Sequence, residues 1–447
     1  MPWSNLRSYL DYLEEKGHLL HISKEVSTEF EIASYIRKSS DADGPAFVFD
    51  NVAGYPGWRV LGALYANSKL LADAMDCGPR EMMRKYHRAT TERITPKLVE
   101  HGACQEVVYT GPEVDLTKLP ICTHAEFDAG PFITAGVVIA KDPDTGVRLL
   151  GILRMQLFGP DRLGITVNPD HRVGRAFYKQ VQRGQPLEIA VAIGAHPAVV
   201  LGAPAKIAHE LDKFGVAGAL HGSPIDLVKC RTVDVEVPAT AEVVVEAAIL
   251  PTGHIPEGPF GEFPGTYGGP TQSPIVKVKA ITHRKDPIYQ TVLACMPVSE
   301  SHLMVTLAEA AKVFEAARMG CPEVVDVRMR GNQDYDAVVS IRKRLDKEPL
   351  NVMMSVLASS LDAKYCTVVD EDIDIYDDRD ILWAWETRVQ PDRDVHIYPL
   401  TVGVPLDPSS PLRRHSSKMG IDATIPLSED RAKFAKALVP GSDTVSW

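Results

Sequence analysis

The chain is poor in the features that identify enzymes from short motifs. Its 447 residues hold seven cysteines, an odd number, at 77, 104, 122, 230, 295, 321 and 366, with no CxxC spacing. That pattern excludes a disulfide framework and a structural zinc site, and it predicts reduced thiols and a cytoplasmic location. No apolar run is long enough to cross a bilayer, so a membrane partner is not expected. The N-terminal stretch MPWSNLRSYLDYLEEKGHLL reads as an amphipathic helix with Leu6, Leu10 and Leu13 on one face, rather than as a signal peptide. Positive charge is in deficit, 48 Lys and Arg against 59 Asp and Glu for a net −11. This disfavours nucleic acid as a partner but leaves room for a local cationic pocket. There is no GxxxxGK[ST], G-x-S-x-G, HExxH or strand-then-GxGxxG pattern, and no internal repeat.

What is abundant is glycine and proline in one place. Residues 253–270 read GHIPEGPFGEFPGTYGGP, ten of the eighteen being Gly or Pro. Such a stretch is expected to be neither a regular helix nor an interior strand. It carries Glu257 and Glu262 among Phe260, Phe263 and four prolines. Two solvated loop acids are the ordinary alternative. A φ-restrained loop with aromatic rings, however, disfavours a charged carboxylate, and two acids in one site can be driven to different protonation states. Such a pair needs a cationic organiser. Arg154, the one charge in the apolar run LLGILRMQLFG, is a candidate; from an edge strand it would simply face solvent. His171 in TVNPDHRVG and Lys418 in HSSKMGIDAT are either surface residues or ligand contacts on this information.

Texture divides the chain into four regions. Residues 1–108 predict a small mixed α/β region: helices at 4–16 and around 29–38, strands at 18–22 and 46–52, and a charged helical segment over 68–100. Residues 109–302 contain many short Val/Ile-rich runs, among them GVVIAKD, RLLGILRMQLF, RLGITV, LEIAVAIG, AVVLGAP, AEVVVEAAIL and PIVKVKAITHR, which at this spacing predict a barrel or sandwich. LMVTLAEAAKVFEAARMG predicts a linking helix over 303–322, ending near Gly320. Residues 323–447 alternate strand and helix patterns before the last 45 residues return to loop chemistry, with Pro405, Pro408 and Pro411 and then RRHSSKMGIDATIP.

Taken together, EGPFGE at 257–262, VAGALHG at 216–222, SKMGIDAT at 417–424, LVKCRTVDVEVPATAE, and LPICTHAEFDAGPFITAGVVIAKDPDTG at 119–146 resemble the UbiD-like decarboxylases. The resemblance runs in order over most of residues 4–430. It implies an α+β and α/β multidomain fold: an N-terminal α/β region, a central split β-barrel of flavin-reductase type, a linking helix and a C-terminal α/β oligomerisation domain. It implies prenylated FMN as cofactor, a flavin prenyltransferase as its supplier, a homodimer or higher homo-oligomer, and reversible decarboxylation of a small aromatic or heteroaromatic acid. The family's Glu–Arg–Glu network falls on Glu257, Arg154 and Glu262, with Glu262 as proton donor and acceptor. Lys418 falls at a position near the cofactor, and Ala203 and Pro204 offer backbone contacts to its ring system.

The family's manganese and potassium, which clamp the cofactor phosphate, are in doubt here. Their His ligand falls on His171, but the Asn falls on Leu149 and the Glu on Lys213. Either the Lys213 ammonium stands in for the metal, or Glu210 or Asp212 reaches it instead. His302 either faces the substrate pocket or caps the linking helix, and Leu400 to Val404 with Met419 are candidate apolar pocket walls. The alternative to a decarboxylase is a flavin-binding barrel without that activity, either a flavin reductase or a non-catalytic subunit. A two-carboxylate glycoside hydrolase is a third option.

Overall fold

The computed structural model describes residues 1–330, 335–410, 414–441 and 444. The chain divides into two compact units, Met1–Glu309 and Ala310–Trp447. The division falls inside the long helix Glu300–Gly320, which matches the helix expected over 303–322.

The first unit contains a small sheet and a large one. The small sheet runs in the order Leu19–Ile22, Ala46–Phe49, Arg59–Gly62, Ile288–Gln290. Its fourth strand comes from far along the chain and ties the N-terminal region to the end of the barrel segment. The helix Leu6–Glu15 buries Leu6, Tyr9, Leu10 and Leu13 and starts with a capping box between Asn5 and Ser8.

The large sheet is antiparallel throughout. It runs Phe132–Ile133, Met155–Leu157, Arg162–Ile165, Thr271–His283, Val243–Glu257, Leu187–Ile193, Val137–Lys141, Arg148–Ile152, with Val107–Thr110 added on Thr271–His283. Ile152 and Met155 therefore lie six strands apart in this order. A flat sheet would separate them by roughly 29 Å at about 4.8 Å per strand. The chain joins them through Leu153 and Arg154 alone, which can reach about 11 Å. The sheet must curl to bring its two ends together, and Arg154 sits at that closure.

Three local readings of the sequence are corrected. Arg154 lies not within one continuous strand but in the two-residue break between Arg148–Ile152 and Met155–Leu157. AVVLGAP is not a strand: Pro197–Gly202 is a helix, started by Pro197 and by the His196 ring accepting from the Ala198 N–H at 3.0 Å. All six of its residues are buried, so no periodicity betrays it. SKMGIDAT is not a loop: His415–Ala423 is a strand of the second unit's sheet. Its inward positions include Ser416, Lys418 and Gly420, so the usual apolar alternation is missing. Pro411 lies outside the described residues.

The second unit is a five-stranded sheet in the order Val324–Arg330, Asp336–Ile341, Tyr365–Asp370, His415–Ala423, Val395–Val402, with the three middle strands parallel. Helix Asp378–Arg388 packs Ile381 and Ala384 against Val338, Val369 and Ala423. The mixed α/β multidomain class with a curled central sheet is the class expected.

Candidate active site

The Gly/Pro-rich stretch is more regular than its composition suggests. His254–Glu257 continues the strand Val243–Glu257 and pairs with Thr271–Pro274. Between them Phe260–Gly261 and Tyr267–Gly268 form a two-rung hairpin. Gly258 and Gly269, at φ 89° and 90°, turn the chain at its two ends. Pro256 and Pro274 are tolerated because this tongue reaches past the strands flanking the rest of the pair. Two side chains, one half-buried and one buried, pin it down. Asp128 accepts from the Gly261 N–H at 2.8 Å and the Ala125 N–H at 2.9 Å, and Gln156 Oε1 accepts from the Gly258 N–H at 2.9 Å.

The tongue brings Glu257 and Glu262 to Arg154. The Arg154 Nε–H donates to Glu257 Oε1 at 2.9 Å, and its Nη1–H donates to Glu262 Oε1. The guanidinium carbon also lies 5.2 Å from the centre of the Phe260 ring. All three predicted network residues are thus one hydrogen-bonded group. The two acids are not equivalent. Glu257 is completely buried, and its Oε2 also accepts from the hydroxyls of Thr166 and, at 3.1 Å, Ser273. Donors on both oxygens hold that carboxylate still. Glu262 touches the arginine through one oxygen only; Oε2 has no protein partner among the described residues. Burial pushes the Glu262 carboxyl above the usual carboxylate range, with the Arg154 charge opposing and the Glu257 charge reinforcing the rise. Gly268 makes room for it, since a Cβ there would lie 2.9 Å from Glu262 Cγ.

A second group forms around His171. Its ring packs on Gly151, where a Cβ would come within 2.3 Å of the imidazole. Its Nδ1 accepts from the Val173 N–H at 3.3 Å, opening the helix Arg172–Gln182. Burial holds the imidazole down at about 3. Lys213 is only 4% exposed and donates to the Ala203 carbonyl at 2.6 Å, which brings the predicted Ala203–Pro204 turn to it. Burial first, then the charges of Arg172 and Lys206, push its ammonium well below the usual lysine range. Arg172, which the sequence reading missed, is equally buried. Its Nη2 donates to the carbonyls of Ala208 at 3.0 Å, His209, and Leu211 at 2.7 Å, whereas Nε and Nη1 are buried without a partner.

The metal clamp does not fit these residues. Leu149 is buried hydrocarbon on the strand under His171, and Lys213 is a cation. Asp212, the alternative ligand, accepts from Arg148 Nε at 2.8 Å and from the Phe214 N–H at 2.9 Å, and Glu210 faces solvent. Among the described residues no three His, Cys, Asp or Glu side chains converge on one point.

Other candidates are placed as follows. His302 accepts from the Ser299 N–H at 3.1 Å at the start of its helix, and its Nε2 donates to the Phe263 carbonyl at 2.5 Å. It therefore caps the helix and also steadies the residue after Glu262. Lys418, in the second unit, is buried and donates to the carbonyls of Leu357, at 2.7 Å, and Ser360. Leu400, Val404 and Met419 also belong to the second unit. All seven cysteines are unpaired, and no helix among the described residues is long and apolar enough to cross a membrane.

Comparison with known proteins decides the family. Residues 97–297 match the 3-octaprenyl-4-hydroxybenzoate carboxy-lyase Rift-related domain, 10–90 its N-terminal domain and 302–423 its C-terminal domain. The chain belongs to the UbiD family. It is similar to the UbiD-class enzyme HmfF from Pelotomaculum thermopropionicum, solved in complex with FMN, at 41% identity and TM-score 0.93, over 99% of each chain. It is also similar to the vanillic acid decarboxylase of Sedimentibacter hydroxybenzoicus, at 29% identity and TM-score 0.89, over 99% of this chain and 98% of that one. The 3,4-dihydroxybenzoic acid decarboxylase of Enterobacter cloacae matches at 29% identity and TM-score 0.89, over 99% of each chain. The chain is therefore an enzyme, a carboxy-lyase of the UbiD class.

Proposed function

We propose that this UbiD-family chain decarboxylates a small aromatic or heteroaromatic carboxylic acid, reversibly and without oxidation, using prenylated FMN. The observation that carries the reading is the single arginine shared by two unequal buried acids. Glu257, held by Arg154, Thr166 and Ser273, fixes the guanidinium; the guanidinium in turn fixes Glu262. The flavin fits the residues present, because the buried Lys213 and Arg172 lack an anion that a phosphate would supply. When bound, the prenylated flavin supplies an electron sink for the pair left on carbon as CO2 departs, which no side chain can do.

The protein's own part is proton chemistry. In the decarboxylation direction Glu262 carries the proton on its carboxyl and delivers it to the carbon that lost CO2. In the reverse direction the same carboxylate takes the proton from that carbon. A carboxyl ordinarily titrating near 4.3 would be ionised at neutral pH, and burial raises it toward the donor form. Arg154 keeps the acid oriented without neutralising it from both oxygens. Ala203 and Pro204 offer backbone contacts to the ring system. A flavin prenyltransferase as cofactor supplier, homo-oligomerisation through the second unit and a cytoplasmic location complete the proposal.

The test is co-expression with a flavin prenyltransferase, followed by an absorbance spectrum and CO2 release from a panel of hydroxybenzoic, pyrrole, furan and indole carboxylic acids. The expected result is a prenylated-flavin spectrum with turnover of at least one small flat acid. A flavin-loaded protein inert across the panel would favour a non-catalytic flavin barrel.

A further inference from the structure

The surroundings of Lys213 carry an inference that rests on the flavin reading just given and goes further. A buried ammonium normally sits beside a carboxylate, since burying an unpaired charge is strongly unfavourable. Lys213 has no carboxylate within ion-pair distance among the described residues. Its one hydrogen bond goes to the Ala203 carbonyl, leaving two of its three N–H donors unused. Its charged neighbours are Arg172 and Lys206, both of its own sign. Arg172 is 7% exposed and leaves Nε and Nη1 buried without a partner. The nearby acids are engaged or outside: Asp212 is held by Arg148 and the Phe214 amide, Glu309 pairs with the exposed Lys206 at 3.6 Å, and Glu210 faces solvent. Lys213 and Arg172 thus place positive charge in a buried site with donors to spare and no carboxylate bonded to either.

His171 points the same way. Because its Nδ1 accepts from the Val173 N–H, the neutral ring carries its proton on Nε2. A ring in that tautomer offers a hydrogen-bond donor at Nε2 and no lone pair for a metal. Leu149 has no ligand atom at all. Each of the three positions that would hold a divalent ion is therefore a donor, a cation or hydrocarbon.

We infer that this enzyme binds the flavin phosphate without a divalent metal, the Lys213 ammonium contacting the phosphate oxygens directly with Arg172 and the His171 Nε2–H as further donors. An ammonium is a compact point charge well suited to phosphate. In that place it also repels the ion it replaces.

The experiment uses full-length holoprotein made with a flavin prenyltransferase, dialysed against EDTA, with flavin and divalent metals quantified on the same sample. Flavin should stay bound while manganese, magnesium and zinc fall far below it. A divalent metal retained in step with the flavin, or flavin lost on chelation, overturns the inference alone. No flavin in any arm, with or without added manganese, overturns both it and the functional reading. Titration of apoprotein with FMN supplies the second readout. Lys213→Met should weaken FMN about tenfold to a hundredfold, and Lys213→Arg should keep metal-independent binding. Lys213→Glu should make FMN retention depend on added manganese. FMN binding unchanged in both Lys213→Met and Lys213→Glu overturns the inference.

Discussion

The first unit holds two buried charged groups that are opposites in design. Around Arg154 one cation answers two acids, and among the described residues only the second oxygen of Glu262 and Arg154 Nη2 are left without a protein partner. Around Lys213, no carboxylate is bonded to the two buried cations, and donors are left over on Lys213 and Arg172. The strand Arg148–Ile152 connects them: Gly151 underlies His171, and Arg154 follows two residues after the strand's end. The difference separates two tasks. A group balanced internally can keep its shape through a catalytic cycle and trade a proton at its one open oxygen. A group left unbalanced is built for a charged ligand to complete.

The largest effect should come from unbalancing the balanced group. Arg154→Met leaves Glu257 and Glu262 buried without their shared cation. Stability should drop by about 3–5 kcal/mol, read by chemical denaturation, and decarboxylation should vanish. Retained stability would mean the pair gives up its charge at no cost, and the comparison would fail. Next in size, Gly268→Ala places a methyl group against the Glu262 side chain. A displacement near 1 Å should lower kcat about a hundredfold while flavin binding, served by the other group, stays unchanged. Loss of flavin instead would show that the two groups are not separable.

A smaller effect is expected from Thr166→Val, which removes one of the donors fixing Glu257. About 1 kcal/mol of orientation should be lost, seen as a several-fold fall in kcat with KM little changed. Smallest, and in the wild-type enzyme, is the pH response. Burial raises the Glu262 carboxyl, so its proton-donating form is complete at low pH and is lost as pH rises through that raised value. Decarboxylation should therefore decline on the alkaline side at a pH above an ordinary glutamate's range, and exchange in the carboxylating direction should gain there. A profile flat across that range would contradict the assignment of the proton to Glu262.

Much of this was legible in the residues. The local sequence left the two acids, the arginine and His171 each open between a surface and a site role, and only the family resemblance over several segments grouped them. Thr166 and Ser273 were not grouped with them, because a hydroxyl in a strand looks the same whether it faces solvent or a buried carboxylate. Arg172 escaped for a similar reason: an arginine in a helix's first turn reads as surface, and only the fold reveals two nitrogens sealed without partners. AVVLGAP and SKMGIDAT misled in opposite directions. In the first, burial on all sides erased the helical period; in the second, buried Ser and Lys disguised a strand. Curling of the central sheet could not be read locally at all, since it follows from which strands pair.

The most direct test is hydrogen exchange at the product carbon in Glu262→Gln holoenzyme, with flavin content measured on the same sample. Glutamine keeps the shape and the contact to Arg154 but carries no exchangeable acid proton. The account predicts full flavin occupancy, decarboxylation slowed by roughly 10²–10⁴, and no incorporation of solvent deuterium into added product. Deuterium incorporated at the wild-type rate by the flavin-loaded variant would contradict it.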